Sequence, residues 1–361
     1  VLDSGDYPAI LDRALGAFGW NAVQRELRRR RAQGERVGAG MCMFLEKSGL
    51  GPADSAIVTV TPTGEIEVVT GGASLGQGFE TAMAQICAET LGVDYRAMTV
   101  VHGQTDRIRH GVGAHATRAT VMTGNAVHAA ALKVREMVLG RAAPLLQSRP
   151  EDLDIVDGVV VGRDGRPGPS IGLGELARQL AEAESPESLT AEGTFQTDHM
   201  AYPYGVHAAV VSIDRGTGIA KVERYFVAND VGRVVNPVLV DGQITGGAAQ
   251  GIGGALFEEF RYDEAGQPSS VTLADYLIPT AREIPNIEVM VTEDAPSPLN
   301  PLGVKGAGEG GCAGAGAAIA SAIDDAIGLP GAVKRLPITP QFIRTLLSRQ
   351  ENAPMTGTAA R

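Results

Sequence analysis

The chain has 361 residues, 44% hydrophobic and 20% charged. That is room for two domains, and the composition excludes a disordered or fibrous chain. A net charge of -11 argues against a nucleic-acid binder; the one basic run, residues 28–31, is diluted by Glu26 and Glu35 and reads as a solvated helix face. Three scattered cysteines, Cys42, Cys87 and Cys312, are too few for an iron–sulfur cluster, which takes about four thiolates, and suit a reducing, cytoplasmic setting better than a disulfide framework. No apolar run reaches the ~18 residues of a membrane span, and no signal peptide opens the chain.

In chain order, residues 7–33 read as one long helix, which Gly38 to Gly40 break. Residues 55–61 and 65–70 alternate and are β-branched, and Thr63-Gly64 between them predicts an antiparallel hairpin. A glycine-rich turn then leads into a helix bearing Met83, Ile86, Cys87 and Leu91. A strand is expected at 98–102, a long helix at 118–140, a hairpin at 153–162 and a helix at 173–184, with Pro144, Pro150, Gly165 and Pro167 as punctuation. From Tyr202 two alternating strands flank a Gly-Thr-Gly turn, followed by a helix at 246–260, a strand near 287–293, a glycine-rich stretch at 303–316 and a helix at 316–327. Helices and strands mix without regular βαβ alternation, so the class is α+β. The expected division is 1–198, 199–345 and a tail over 346–361.

The strongest local feature is KGAGEGGCAGAG, residues 305–316, with the single carboxylate of Glu309 among glycines. Glycines let backbone N–H groups approach a ligand, and a carboxylate held there could act as a general base. On local grounds it reads equally well as a flexible surface loop. The same stretch fits a dinucleotide fingerprint, but the proline-rich segment before it is a poor strand, which argues against that reading. Gly72-Ala73-Ser74-Leu75-Gly76 has the form of a nucleophile elbow, making Ser74 a rival catalytic residue. Against it, the preceding strand belongs to an antiparallel hairpin and the last histidine, His207, comes too early. Gln77, Gln243 and Gln250 lie beside glycines, Gln77 and Gln243 in expected turns, and could form a polar cradle. His102, His110 and His115 have no metal-ligand spacing, and no metal-binding residue is expected. Glu258-Glu259 and Asp324-Asp325 read as helix-surface charge.

Five ordered segments carry a wider resemblance: GGASLGQGFETAMAQICAETLGV, HGQTDRIRHGVGAHATRATVMTGNAV, YGVHAAVVSIDRGTG, NDVGRVVNPVLVDGQITGGAAQGIGGALFEE and LGVKGAGEGG. Together they resemble the molybdenum-cofactor subunit of the xanthine dehydrogenase and aerobic carbon monoxide dehydrogenase family. The resemblance implies two mixed α+β domains of the molybdenum-cofactor-binding type. It also implies a molybdopterin cofactor with molybdenum, often the cytosine dinucleotide in bacteria, whose metal is held by the pterin dithiolene. It further implies that Glu309 is the catalytic base, that Gln77 and Gln243 hydrogen-bond the cofactor, and that the turn at Ala116 and Thr117 approaches the pterin. Gly78 and Arg118 join that cofactor set, and Lys305, Gly306, Ala307 and Gly308 would line the cofactor beside the metal.

Many relatives read G-S-R-S where this chain has Ala116-Thr117-Arg118-Ala119, and Pro or Ser where Gly310 follows the glutamate. The family subunit is typically about twice as long. The expectation is therefore that a separate chain supplies the other half of the molybdopterin subunit, with truncation or processing as the alternative, and that iron–sulfur and flavin subunits carry [2Fe-2S] and FAD. The implied reaction is water-derived hydroxylation of an aromatic N-heterocycle, or oxidation of an aldehyde. Alternatives are a carbon monoxide dehydrogenase-type fragment, a non-catalytic assembly subunit and, remotely, a serine hydrolase using Ser74.

Overall fold

Asp6 caps the first helix, α1 (Tyr7–Phe18), its carboxylate accepting from the Ala9 amide at 3.1 Å. The computed structural model describes residues 2–163, 165, 168–183 and 186–351. Gly19, in the left-handed region at φ 70°, ends α1, and α2 (Trp20–Ala32) follows. The helix expected over 7–33 is thus two helices. Next comes β1 (Arg36–Leu45), where the sequence reading had only a glycine break. Gly38 and Gly40 lie inside this strand because a helix crosses them: an added Cβ would stand 2.2 Å from the Ala322 carbonyl oxygen at Gly38 and 2.3 Å from that of Ala318 at Gly40.

The hairpin forms as expected from β2 (Ala53–Val60) and β3 (Ile66–Thr70). Then come α3 (Phe79–Leu91) and β4 (Met98–Val101), which pairs parallel with β3. A π-helical turn, Ala119–Thr123, leads into α4 (Gly124–Leu145). A small sheet of β5 (Leu153–Val156), β6 (Val159–Gly162) and β7 (Ile171–Gly172) precedes α5 (Leu173–Ala181) and β8 (Leu189–Gln196). Pro167, the expected end of the helix at 184, and the tail beyond 351 lie outside the described residues.

Two long strands, β9 (Tyr204–Ile213) and β10 (Ala220–Asp230), precede α6 (Pro237–Leu256) and β11 (Ile287–Thr292). The helix α6 begins well before the expected residue 246: the Asn236 side chain caps it, accepting from the Leu239 amide at 3.1 Å, and Pro237 opens its first turn. Gln243 therefore sits on a helix and not in a turn, and Glu258-Glu259 follow the helix end. The chain closes with α7 (Gly310–Ala313), α8 (Ala315–Ile327) and α9 (Pro340–Glu351), the last running across the expected boundary at 345.

One four-stranded sheet has the order β4-β3-β2-β8, the other β1-β9-β10-β11. The sheets do not divide at residue 198, because β1 pairs antiparallel with β9 along its whole length. In the first layer, Ala126, Ala130 and Val134 of α4 pack with Val58 and Val68 in one core. The second sheet is covered on both faces. Ile244, Ile252, Ile319 and Ile323 of α6 and α8 pack with Val211 and Val227, whereas Ile10, Phe18 and Leu27 of α1 and α2 pack with Val206 and Phe226. Each sheet also contains one parallel pair spanned by a helix: β3–α3–β4 and β10–α6–β11. Ligands of parallel strands bind at their carboxyl ends, where the crossover helix begins. No described helix is long and apolar enough to cross a membrane.

Candidate active site

The two crossover loops meet at a cavity of about 470 Å³. Gln77, Gly78 and Phe79 reach it from the start of α3, and Arg233, Asn236 and Leu239 from the start of α6. The turn at 114–120 and the loop at 305–309 complete the walls. The cavity brings together every residue singled out in the sequence as catalytic or cofactor-binding: Gln77, Gly78, Ala116, Thr117, Arg118, Gln243, Lys305, Gly306, Ala307, Gly308 and Glu309. The N-termini of α3 and α6 open onto it, and so does the π-helical turn before α4. Unsatisfied N–H groups and the helix dipole make such ends favourable for anions.

Ala116 and Thr117 stand at φ 47° and 52°, conformations a β-branched residue rarely adopts. Arg118 explains why they persist. Its guanidinium is fully buried, bonds Asp54 at 3.0 Å, and donates to the carbonyls of Leu50, Ala53 and Gly113 at 2.9–3.0 Å. Arg118 lines the cavity, but its guanidinium is spent inside the protein. Lys305 lines it too, and its side chain is likewise turned inward. Its ammonium is buried 3.5 Å from Asp230 and lies 5.0 Å from the centre of the Tyr204 ring, and burial lowers its pKa against the opposing pull of Asp230.

Gly306 brings the two walls together. A Cβ there would meet the Thr117 methyl at 2.3 Å, and its amide donates to the Ser48 hydroxyl at 3.0 Å. Gln77 folds back on its own loop, donating to the Ala73 carbonyl at 3.0 Å and accepting from the Leu75 amide at 2.6 Å. It therefore shapes the loop and keeps one N–H to spare. The Gln243 amide has no protein partner among the described residues, and its Oε1 would lie 3.5 Å from a Cβ on Gly308. Arg233, exposed at the rim, has no carboxylate partner among the described residues.

Glu309, immediately before α7, is exposed to the cavity, and its Oε2 lies 2.7 Å from the Thr117 hydroxyl. The same hydroxyl contacts Oε1 of Glu46, the residue after β1. Burial, reinforced by the charge of Glu309 and opposed by the Thr117 bond, pushes the Glu46 carboxyl up to about 7. Beneath the loop, His207 Nε2 donates to the Gly310 carbonyl at 2.9 Å, and the Tyr225 hydroxyl donates to Nδ1 at 2.8 Å. Burial lowers His207 to about 4, which fixes it as the neutral Nε2–H tautomer.

Sequence reasoning missed Glu46, Arg233, Asn236 and His115, which lines the cavity from the 114–120 turn. The Asn-Pro pair at 236–237 was a usable helix-start signal; Glu46 had none, being 263 residues from Glu309 at the end of an unrecognised strand.

Ser74 does not form a hydrolase triad. Its hydroxyl donates to Glu80 at 2.9 Å, and His102 contacts the other Glu80 oxygen at 3.0 Å, so the histidine never reaches the serine. Among the described residues no group of three His, Cys, Asp or Glu side chains could hold a metal ion. The cavity offers a different chemistry: helix N-termini, the Gln243 amide and Arg233 give it hydrogen-bond donors and positive charge that suit an anionic group.

Residues 13–285 match the model of the molybdopterin cofactor-binding domain. The chain belongs to that family. Within it, the chain is 43% identical over 348 residues to the 6-hydroxypseudooxynicotine dehydrogenase complex subunit gamma of Paenarthrobacter nicotinovorans, covering 94% of this chain and 43% of that one. Its fold matches CO dehydrogenase from Oligotropha carboxidovorans with a TM-score of 0.88 and 30% identity, covering 97% of this chain and 46% of that one. Quinoline 2-oxidoreductase from Pseudomonas putida 86 matches with a TM-score of 0.86 and 34% identity, over 96% and 46% of the two chains. The chain thus spans less than half the length of these relatives, and the elbow at Ser74 has no counterpart in their named chemistry.

Proposed function

We propose that the cavity holds a molybdopterin cofactor and that Glu309 is the base of a molybdenum hydroxylase acting on an aromatic N-heterocycle. One observation carries this reading: a single cavity gathers the α3 and α6 N-termini, the 116–118 turn and the glycine loop of Glu309, in a chain of the molybdopterin family. The helix N-termini and Arg233 would hold the anionic part of the cofactor, a cytosine dinucleotide form included. Gln243 and the spare N–H of Gln77 would bond its polar edges, and the tight Gly306–Thr117 approach would set its depth. When bound, the molybdenum centre supplies the two-electron oxidation. Thr117 would aim the Glu309 carboxylate, which would act as the proton acceptor of the reaction. Relatives named for nicotine and quinoline favour a heterocycle over an aldehyde. The likeness to CO dehydrogenase supports carbon monoxide as the second reading.

In this reading [2Fe-2S] and FAD are carried by partner subunits and another polypeptide segment completes the substrate pocket, in keeping with relatives named as subunits of a complex. In the purified complex, Glu309→Gln should lower turnover about 10²–10⁴-fold, the usual worth of a positioned general base, while molybdenum content stays at the wild-type level. Near-normal turnover would remove Glu309 from the role. A fully assembled complex without molybdenum would favour a non-catalytic assembly subunit.

A further inference from the structure

Two carboxyl groups, Glu46 and Glu309, touch one hydroxyl, that of Thr117. A hydroxyl has one proton to give. It can donate to one of the two; the other contact is a hydrogen bond only if that carboxyl carries a proton and donates to the Thr117 oxygen. Both contacts together therefore require one shared proton in the group.

Burial decides where that proton rests. Glu309 opens to the cavity, whereas the second oxygen of Glu46, Oε2, is buried with no hydrogen-bond partner. An ionised Glu46 would leave that oxygen desolvated and uncompensated, which is costly. Among the described residues no cation offsets it: the charged group acting on Glu46 is Glu309, of the same sign, and direct hydrogen bonding between the two carboxyls raises Glu46 further. The backbone supports the same geometry. Thr117 is held at φ 52°, in the strained left-handed region, by the buried Arg118 next to it, so its hydroxyl has little freedom to leave either carboxyl.

We propose that Glu46 is a positioning residue for the base: its protonated carboxyl donates to Thr117, which in turn donates to Glu309 and keeps that carboxylate aimed. The proposal rests on Glu309 being the base. It assigns the pair one proton to share, with the chain Glu46 O–H, Thr117 O–H, Glu309 carboxylate running in one direction. When Glu46 loses its proton at higher pH, two anions compete for a single hydroxyl, and Glu309 loses its fixed donor. The direction of the Glu46 shift, upward through burial, agrees with this order of titration.

The test uses the intact complex and two readouts. The first needs no turnover: pH-difference infrared spectroscopy of the carboxylic C=O stretch. Wild type should show a buried carboxylic acid band that disappears as pH rises through about 7; Glu46→Gln should lack the band, and Glu309→Gln should move it to lower pH by removing the like charge. The second is the pH–rate profile. Wild-type kcat should fall as pH rises through the same region, and in Glu46→Gln, whose amide donates to Thr117 at every pH, that fall should vanish. Absence of the band from wild type, or a band that survives in Glu46→Gln, would overturn the proposal. So would an alkaline fall unchanged in Glu46→Gln, the result expected of a residue that only fills space. Failure of the base assignment looks different: Glu309→Gln would turn over normally while the infrared band still reported the shared proton.

Discussion

The two walls of the cavity are held by the same device in unequal strength. Each carries a buried cation paired with a buried aspartate from the neighbouring sheet: Arg118 with Asp54 at the end of the 114–120 turn, and Lys305 with Asp230 at the start of the 305–309 loop. Arg118 makes a bond to Asp54 at 3.0 Å and three more to backbone carbonyls; Lys305 has one polar contact, at 3.5 Å, beside the Tyr204 ring. The difference follows what each wall must endure. The first holds two non-glycine residues in left-handed conformations, and only a planar fork can bond several fixed acceptors at once. The second is built of glycines and is packed by close backbone approach, so a point charge suffices.

The comparison can be broken most sharply at Arg118. Arg118→Ala leaves Asp54 buried with only the Thr123 hydroxyl and its neighbour's amide as donors, and takes a donor from three backbone carbonyls. Removing one partner of a buried pair costs about 3–5 kcal/mol, and denaturant unfolding should read a loss of that order. Arg118→Lys should recover little, because the charge returns without the fork.

A smaller effect separates the walls by pH. His207 supports the second wall through Gly310 and is held neutral, its pKa lowered to about 4 from the ordinary 6.5. A depressed histidine pKa means that folded-state stability is fully present above about 6.5 and is lost as pH falls through about 4. Thermal unfolding of wild type should lose up to about 3 kcal/mol across that window, and His207→Gln should show a flatter slope there. An equal slope in the variant would remove His207 from the account.

The mildest change is expected at Lys305. Asp230 keeps the Thr292 hydroxyl at 2.8 Å and the amides of Asp294, Gly232 and Ala295 at 2.9–3.3 Å without it. Lys305→Met should therefore cost about 1 kcal/mol, well below Arg118→Ala. A loss as large would show that the two anchors are equivalent after all.

Sequence periodicity located most elements, because alternation and helical spacing report local burial: the 55–70 hairpin, α3 and the long strands from Tyr204 all lie where the pattern puts them. It failed where long-range contact overrides local preference. Gly38 and Gly40 look like breakers but occupy a strand, since α8, nearly 300 residues away in the chain, passes directly over them. Gly242 and Gly246 made a helix look like a turn until the Asn236 cap fixed its start. The candidate site was legible as residue types in order, Gln77, the 116–118 turn, Gln243 and the Glu309 loop, because a ligand that needs close backbone approach leaves glycines in its wake.

What the sequence could not decide was direction. Arg118 and Lys305 stand among cavity residues in the chain yet point into the protein, because each finds a buried aspartate on the opposite side. Nor could it decide proximity. Glu46 and Glu309 share one hydroxyl only because β1, threaded beside β9 in the second sheet, ends against the 116–118 turn of the first. Residue chemistry is a property of the chain, whereas the competition of two carboxyls for a single proton exists only once the two sheets have packed.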